Sequence, residues 1–599
     1  MAAVLSSFVS GTLLFLSFPK FDLWPLAWVA MVPLLVIVAA SSPKQAFWYG
    51  WLTGTVYFLG CLYWVTHTMV VYGKLPLLIS ILIMFLLVFY LGIYVGLFTF
   101  FYRRVIETFS PLPHLLVSAA LWVTLEWLRG HLLSGFPWAL LGYSQYQVLP
   151  VIQIADMAGV YGISFLLVTT NVALAQIIKT SVGPQEQRNN LWQIWRPFLA
   201  GGILISLALI YGSMRLTQHS GQPISKSLKV GLIQGNIDQE HKWDSAYQRE
   251  TLETYKNLTQ QALSSASSIR GEGAPEQPFQ LGLRGNDLLK DAVQGANGQA
   301  SSADLDLVVW PEAATPFFFE QEKFYREELK AFTRSQRIPL LFGSPVIDPP
   351  QADPTKRASA LGGSGGPLLF NSAYLLSPEG STLARYDKIH LVPFGEYVPL
   401  ASLLFFVHKL VEGIGDFGAG KEFTVMEIPS EDLALPDRAR GMGASEDVPK
   451  GHRTGPHIKT TRFGVVICFE VIFPELVRQF VKQGADFMAT LTNDAWFGRS
   501  SAPYQHFSMV VFRAVENRVP FIRAANTGIT GAIDGTGRIL RTSDIFTETY
   551  LVQEITLKEV KTFYTEYGDF FAYLCGIITL AILAYILWIG RKPLEVHNA

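Results

Sequence analysis

Charged residues and cysteines are both scarce in this chain. Charged residues make up 16% of its 599 residues, whereas an average soluble domain has about 25%. The formal net charge is −1 and no basic cluster stands out, so nucleic acid is not an expected partner. The three cysteines are Cys61, Cys468 and Cys575. The first and last lie in apolar runs, which excludes a disulfide framework in the polar half of the chain.

The histidines of the polar half lack the spacing of a metal site. They are His241, His390, His408, His452, His457 and His506. No two of them are spaced as a ligand pair on one helix, which a zinc hydrolase would require. We therefore expect no metal ion.

Apolar residues are abundant and form 50% of the chain. A helix needs about 20 mostly apolar residues to cross a bilayer. By that measure spans are predicted near residues 4–18, 24–41, 46–70, 75–101, 113–133, 158–178, 197–213 and 570–590. We therefore predict a membrane domain of seven transmembrane helices over 1–213, a polar domain over 225–565 and a C-terminal transmembrane helix over 570–590.

Lysine and arginine in the loops between these spans indicate the orientation, because cytoplasmic loops carry an excess of both. If the N-terminus is cytoplasmic, the inside loops hold Lys44, Arg103, Arg104, Lys179, Arg188 and Arg196, and the outside loops hold Lys20, Lys74 and Arg129. The polar domain is therefore predicted to lie on the outer face of the membrane.

Two charges fall at the outer end of the fifth predicted span. Glu126 and Arg129 are three residues apart and share one face of a helix. A charge inside a span is costly and often functional, but residues at this spacing can also simply pair with each other. Both interpretations stay open at the level of sequence.

Short apolar runs alternate with helical segments through the polar domain. Strands are predicted at 228–233, 305–310, 339–342, 373–376, 382–386, 463–467 and 487–491, and helices at 474–482 and 504–517. This alternation favours an α/β layered sandwich. The stretches near 263–303, 348–368 and 430–458 lack apolar periodicity, and we interpret them as surface insertions.

Three polar residues stand at the ends of predicted strands, where α/β folds tend to place their sites. Glu312 and Lys388 each come just after a strand, and Cys468 stands between a strand and a helix. A thiol is mostly protonated at neutral pH, so a carboxylate must accept its proton as the sulfur attacks. A nearby ammonium can stabilise the anion that forms at the attacked carbonyl. These residue types indicate acyl transfer through a thioester.

The segments around these residues resemble the signatures of a known superfamily. Residues 310–312 (WPE), 386–396 (YDKIHLVPFGE) and 466–470 (VICFE) are similar to the three signature segments of the nitrilase, or carbon–nitrogen hydrolase, superfamily. The arrangement of spans and the segments 135–138 (GFPW), 142–145 (GYSQ), 493–498 (NDAWFG) and 523–528 (RAANTG) narrow the resemblance to the apolipoprotein N-acyltransferases of Gram-negative bacteria. The resemblance implies an α/β/β/α sandwich beside a multi-span α-helical membrane domain.

The resemblance also implies a two-step reaction without a cofactor. Cys468 would attack an acyl ester of a phospholipid, with phosphatidylethanolamine as the expected donor. The thioester would then pass its fatty acyl chain to the N-terminal diacylglyceryl-cysteine amine of an apolipoprotein, which completes lipoprotein maturation. In this scheme Glu312 is the base and Lys388 is the oxyanion partner.

Further residues match supporting positions of that family. The backbone N–H of Phe469 matches a second oxyanion donor, and the carboxylates Glu396 and Glu470 match groups that orient Lys388 and the site. Three aromatic residues, Trp243, Trp496 and Phe497, match substrate-binding loops over the pocket. Aromatic residues can also anchor a domain at a lipid interface, which is the alternative for these three.

The implied location is the inner membrane of a bacterium, as a multi-pass protein with a periplasmic catalytic domain. The closest alternative function is a membrane-tethered nitrilase-type amidase, in which the spans would be a mere anchor. Eight spans exceed what an anchor needs, since one suffices. A transporter would call for paired intramembrane charges or broken helices in matched repeats, and the sequence indicates neither.

Overall fold

The computed structural model describes residues 1–182, 191–221, 226–240, 242–268, 305–348, 368–397, 417–428, 460–557 and 560–589. Most of the three predicted insertions lies outside these residues. Residues 263–268, however, form the end of the helix Gln248–Ser268, so the first insertion begins later than we expected. Asp348 and Leu368, the limits of the second, are paired ends of adjacent strands.

Long apolar helices form the N-terminal part and the C-terminal end of the chain. Among the described residues, five helices are long and apolar enough to cross a membrane: Leu77–Thr108, Pro111–Ser134, Ala155–Ser181, Trp195–Gly221 and Phe570–Ile589. The pair Pro43–Leu62 and Trp64–Val71 passes the same test together, with a 52° bend between its halves.

The first two predicted spans are short in the structure. They correspond to the apolar helices Ala2–Leu16 and Trp24–Val38. The first has 15 residues, which at about 1.5 Å per residue makes it shorter than a bilayer core of about 30 Å. The assignment of eight spans therefore stays a prediction.

The two charges of the helix Pro111–His131 bind the loop that follows this helix. The Arg129 guanidinium donates to the carbonyl oxygens of Phe136, Trp138 and Ala139 at 3.1, 2.7 and 3.2 Å. Glu126 Oε1 accepts the backbone N–H of Leu141 at 2.7 Å. The two side chains therefore do more than pair with each other, since their hydrogen bonds order the loop.

Within the described residues, two six-stranded sheets form the core of the polar domain. The first has the order β12-β1-β2-β3-β4-β5 and the second has the order β11-β10-β9-β8-β7-β6. The strands of the first are β1 Lys226–Gln234, β2 Leu307–Val309, β3 Leu340–Asp348, β4 Leu368–Leu376, β5 Thr382–Asp387 and β12 Thr549–Leu557. The strands of the second are β6 Val425–Ile428, β7 Thr461–Ile467, β8 Phe487–Thr492, β9 Phe521–Ala525, β10 Gly531–Ile533 and β11 Ile539–Thr542.

Each sheet has a parallel centre and antiparallel edges. Strands β1, β2 and β3 run parallel, as do β7, β8 and β9. The sheets face each other, with β1 against β9 and β4 against β7. The carboxyl ends of the parallel strands therefore converge between the sheets, where polar residues after β2 and β7 can meet.

Helices cover both sheets. Gln248–Ser268 and Lys323–Gln336 pack on the first sheet, where Tyr255 stacks on Trp310 with ring centroids 5.1 Å apart. Pro474–Lys482 packs on the second sheet so closely that a Cβ at Gly464 would lie 2.6 Å from Phe480 Cβ. The predicted α/β/β/α sandwich is confirmed.

The helix Ala502–Asn517 and the residue that follows it join this sandwich to the apolar helices. The Arg518 guanidinium donates to Asp156 Oδ2 at 2.8 Å. Glu516 Oε1 accepts the N–H of Val160 at 3.2 Å, where Gly159 with φ +61° interrupts the helix Ala155–Val182. Buried charges need such partners, so these contacts fix how the two halves sit together.

Candidate active site

The nucleophile candidate stands at a tight turn. Strand β7 ends at Ile467, and Cys468, with φ +51°, begins the 3-10 helix Cys468–Ile472. A non-glycine residue keeps this left-handed conformation only where its surroundings hold it there. The residue is 7% exposed, and burial raises the pKa of the Cys468 thiol. The resting group is therefore a thiol that needs a base.

The Lys388 ammonium lies between two carboxylates. Its Nζ is 2.9 Å from Glu396 Oε1 and 3.7 Å from Glu312 Oε1. Burial alone lowers the pKa of Lys388, but the charges of Glu396 and Glu312 outweigh it and raise that pKa above the usual value. The Cys468 thiol is within electrostatic reach of both Glu312 and Lys388. A buried positive charge thus acts on the nucleophile candidate.

Glu312 has one bound and one free carboxylate oxygen. Oε1 accepts the Asn371 amide at 2.8 Å, whereas the buried Oε2 has no hydrogen-bond partner among the described residues. Burial raises the pKa of Glu312 and the nearby Lys388 charge offsets part of that rise. A carboxylate with a raised pKa and a free oxygen is suited to accept a proton.

Asn371 belongs to this site although the sequence did not indicate it. The same amide nitrogen also donates to Glu396 Oε1 at 3.1 Å, and Glu396 Oε2 accepts the N–H of Val392 at 2.8 Å. Asn371 lies inside β4. A single polar residue in a strand gives no sequence pattern that would distinguish a site residue from one that only packs.

Glu470, which was expected to help orient Lys388 and the site, binds the backbone on two sides of the site. Its Oε1 accepts the Tyr386 hydroxyl and the N–H groups of Ile389 and His390, at 2.8, 2.7 and 3.0 Å. Its Oε2 accepts the N–H of Ile467 at 2.7 Å. Burial raises the pKa of Glu470 to about 7, against the effect of these donors. Glu470 thus joins the backbone after Lys388 to the backbone before Cys468.

The three candidate aromatic residues differ in their surroundings. Trp243 is 49% exposed and Trp496 is 38% exposed. Phe497 is half-buried, with its ring centroid 4.7 Å from that of Trp64 and 6.2 Å from that of Trp138. Trp243 and Trp496 are thus exposed enough to meet a ligand, and both Trp496 and Phe497 pack on aromatic residues of the membrane half, with the Trp496 ring centroid 4.9 Å from that of Tyr72.

The short helix Trp64–Val71 holds the loop that carries Trp496 and Phe497. Thr68 Oγ1 donates to the carbonyl oxygen of Trp496 at 2.9 Å, and the Tyr72 hydroxyl donates to that of Ala495 at 3.0 Å. The bend in the helix pair therefore brings polar side chains of the membrane half onto this loop.

Lys242 is a second buried cation, next to Trp243. Its Nζ donates to the main-chain oxygen of Glu312 at 3.2 Å. Burial lowers the pKa of Lys242 to about 8, and Glu312 opposes the shift. Among the described residues, no cluster of His, Cys, Asp and Glu side chains could hold a metal ion.

Two family models match the chain. Residues 10–173 match the apolipoprotein N-acyltransferase N-terminal domain, and residues 229–564 match the carbon–nitrogen hydrolase family. An amidase with a simple anchor would not account for the first match.

Full-length relatives are similar along nearly the whole chain. Proteins named apolipoprotein N-acyltransferase share 40% identity with it in Geobacter metallireducens and 29% in both Chlorobaculum tepidum and Vibrio vulnificus. The alignments cover 97%, 96% and 96% of this chain and 95%, 96% and 94% of the relatives.

Proposed function

The chain belongs to the apolipoprotein N-acyltransferase family, and we propose that Glu312, Lys388 and Cys468 are its catalytic residues. It is a membrane acyltransferase of the carbon–nitrogen hydrolase superfamily that acts on apolipoproteins. The observation that carries the proposed site is the buried Lys388 ammonium, 3.7 Å from Glu312 and within electrostatic reach of the Cys468 thiol.

The first step loads the enzyme. Glu312 accepts the thiol proton while Cys468 Sγ bonds to the ester carbon of a phospholipid, and the carbonyl oxygen becomes an oxyanion. Lys388 Nζ and the N–H of Phe469 stabilise this charge. The ester C–O bond then breaks and Glu312 returns the proton to the leaving oxygen, which gives a lysophospholipid. We propose phosphatidylethanolamine as the donor.

The second step unloads it. The N-terminal diacylglyceryl-cysteine amine attacks the thioester carbon, and Glu312 accepts one amine proton. The C–S bond breaks and that proton passes to Cys468, so the acyl chain ends in an amide. Glu396 and Glu470 support Lys388 and the backbone of the site. Exposed Trp243 and Trp496, with Phe497 behind them, are the proposed substrate-binding aromatics.

We also propose that the protein lies in the inner membrane with its catalytic domain in the periplasm. The proposed membrane domain covers residues 1–213, the catalytic domain covers 225–565 and a last span covers 570–590. Arg103 Nε donates to the Ser41 carbonyl at 2.7 Å, at the end of the helices away from the loop that carries Trp496. Predicted cytoplasmic cations are thus remote from the catalytic domain, which supports this orientation.

Cysteine labelling tests the orientation. Glu327 and Lys44 are both exposed, one on the catalytic domain and one in a predicted cytoplasmic loop. With a permeabilised outer membrane, Glu327→Cys should react with an impermeant thiol reagent and Lys44→Cys should not. The reverse pattern would contradict a periplasmic catalytic domain.

Intact-mass spectrometry tests the function. Purified enzyme given phosphatidylethanolamine and no acceptor should gain one acyl chain on Cys468, because the second step lacks its amine. Neutral hydroxylamine should remove the adduct, as it cleaves thioesters, and so should a diacylglyceryl-cysteine peptide. An enzyme that transfers acyl chains without ever carrying one would refute the proposed mechanism.

A further inference from the structure

A second buried polar cluster lies behind the nucleophile. His506 Nδ1 is 3.0 Å from Asp494 Oδ1 and 3.1 Å from Arg523 Nη2. Arg523 Nη2 also donates to Asp494 Oδ2 at 2.7 Å. All three residues are fully buried. Polar groups with this burial are costly unless they are bonded, yet none of them belongs to the triad.

His506 connects this cluster to the active site. Its Nε2 lies 3.1 Å from the main-chain carbonyl oxygen of Cys468. Because a carbonyl oxygen can only accept, Nε2 carries a hydrogen in this contact. Burial and the charge of Arg523 lower the pKa of His506, and the charge of Asp494 opposes that shift; the lowered pKa favours a neutral ring with its hydrogen on Nε2.

The position of that carbonyl determines the direction of the next N–H. In a planar trans peptide the C=O and the following N–H point in opposite directions. Cys468, at φ +51°, is in a conformation that its surroundings must hold. A hydrogen bond to the Cys468 oxygen therefore fixes the peptide plane and directs the N–H of Phe469 away from His506.

We infer that His506 is a positioning residue that keeps the Cys468–Phe469 peptide oriented for oxyanion stabilisation. The inference rests on the proposed function, in which the N–H of Phe469 is the second oxyanion donor. Asp494 and Arg523 hold the imidazole so that its Nε2 hydrogen points at the carbonyl.

The membrane half contributes to the same support. The Trp138 ring stacks on His506 with centroids 5.7 Å apart and an interplanar angle of 29°. Its indole N–H donates to Gln505 Oε1 at 2.8 Å. Arg129 binds the carbonyl oxygens around Trp138. The loop ordered by Arg129 therefore contacts His506 through Trp138, and His506 in turn contacts the backbone of Cys468.

Two reactions of the same sulfur test this role. Acyl transfer passes through an oxyanion, whereas alkylation of Cys468 by iodoacetamide does not. His506→Asn, whose shorter amide cannot reach the carbonyl, should lower acyl transfer by about 10- to 100-fold, somewhat less than the loss of a whole oxyanion donor. Alkylation should change by less than about 3-fold. His506→Gln can place an amide N–H where Nε2 stands and should recover most of the transfer rate.

Ser508→Ala is the matched control, since it removes a buried hydrogen bond from the same helix without touching the site. It should leave both reactions unchanged. Equal transfer rates for the wild type and His506→Asn would overturn the inference, as would parallel losses in transfer and alkylation or equal losses in the Asn and Gln variants. A different result would contradict the proposed function itself, namely acyl transfer by Cys468→Ala.

Discussion

The Asn371 side-chain amide donates to Glu312 Oε1 at 2.8 Å and thereby orients the proposed base. The same nitrogen reaches Glu396 Oε1 at 3.1 Å. One neutral donor therefore separates two carboxylates that would otherwise repel each other, while Lys388 neutralises them from the other side.

Replacement of Asn371 by aspartate should shift the pH dependence. The new carboxylate cannot donate to Glu312 and adds a third negative charge, so the pKa of Glu312 should rise further. We expect Asn371→Asp to lower acyl transfer at pH 7 by about 10- to 100-fold, which is at or below the smallest contribution usual for a general base, about 10²-fold. Asn371→Ala loses the donor without the charge, so it should be slower at every pH. Identical pH–rate profiles for the two variants would contradict this account.

The rate of the wild-type enzyme should fall at acid pH, with a midpoint above the ordinary pKa of a glutamate. Burial raises the pKa of Glu312, and Lys388 offsets part of that rise. Protonated Glu312 cannot accept the thiol proton, so thioester formation should be lost as the pH falls through this raised pKa, above about 4.3. Lys388→Met removes the offset and should move the acid limb to higher pH. The measurement is the rate of thioester formation in a single turnover as a function of pH. Lys323→Met, at an exposed surface position, is the control.

Much of the catalytic fold was predictable from local patterns. The helix Pro474–Lys482 has the predicted bounds, because proline at its first position marks where a helix begins. The strand at 463–467 is confirmed as part of β7, since its apolar run is fully buried. Such signals lie within one segment of chain and need no knowledge of the tertiary structure.

Contacts between distant segments were not predictable. Strand β12 pairs with β1 across more than half of the chain, and no local pattern specifies that partner. Asn371 and His506 were missed as site residues for the same reason. Each is a single polar residue on a buried element. Asn371 acts on Glu312 and His506 acts on Cys468, and only the folded sheets bring these distant residues together. The bounds of the first two apolar helices were also not predictable, because apolar composition predicts a span but does not show where prolines and turns end the helix.

Gly498 offers a test of the loop that carries Trp496 and Phe497. With φ +58° and ψ −160° it has a conformation almost confined to glycine, and a Cβ would lie 2.6 Å from His67 Nε2. Gly498→Ala should therefore displace the loop and slow transfer to a diacylglyceryl-cysteine peptide. The added His67→Ala should relieve the clash but leave backbone strain of about 1–3 kcal/mol. Turnover and thermal stability of both variants are the measurements.

Gly202→Ala is the control for this pair, because a Cβ there meets no atom within 4 Å. It should match the wild type in both assays. If His67→Ala fully restored the rate, steric contact alone would position the loop. If Gly498→Ala retained wild-type transfer, the loop conformation would have no part in the second step.

The proposed catalytic triad of Glu312, Lys388 and Cys468 gives a separate expected outcome for each of its members. Glu312→Gln should form no thioester with phospholipid, because the amide cannot accept the thiol proton. Cys468→Ser should also be inactive, since an alkoxide is much harder to generate than a thiolate. Lys388→Ala should still form the thioester, slowed by about 10²–10³, which is the usual cost of losing one oxyanion donor.

Intact mass separates these cases by the presence and the rate of the acyl adduct on Cys468. Iodoacetamide alkylation supplies the control for site integrity, because Glu312→Gln keeps the thiol in place and loses only its proton acceptor. Burial raises the pKa of Cys468, so alkylation of the wild type should still be rising at pH values above about 8.5, the usual thiol pKa. Near-normal acyl transfer by Cys468→Ala would require a different nucleophile, and the assignment of Glu312 and Lys388 would fall with it.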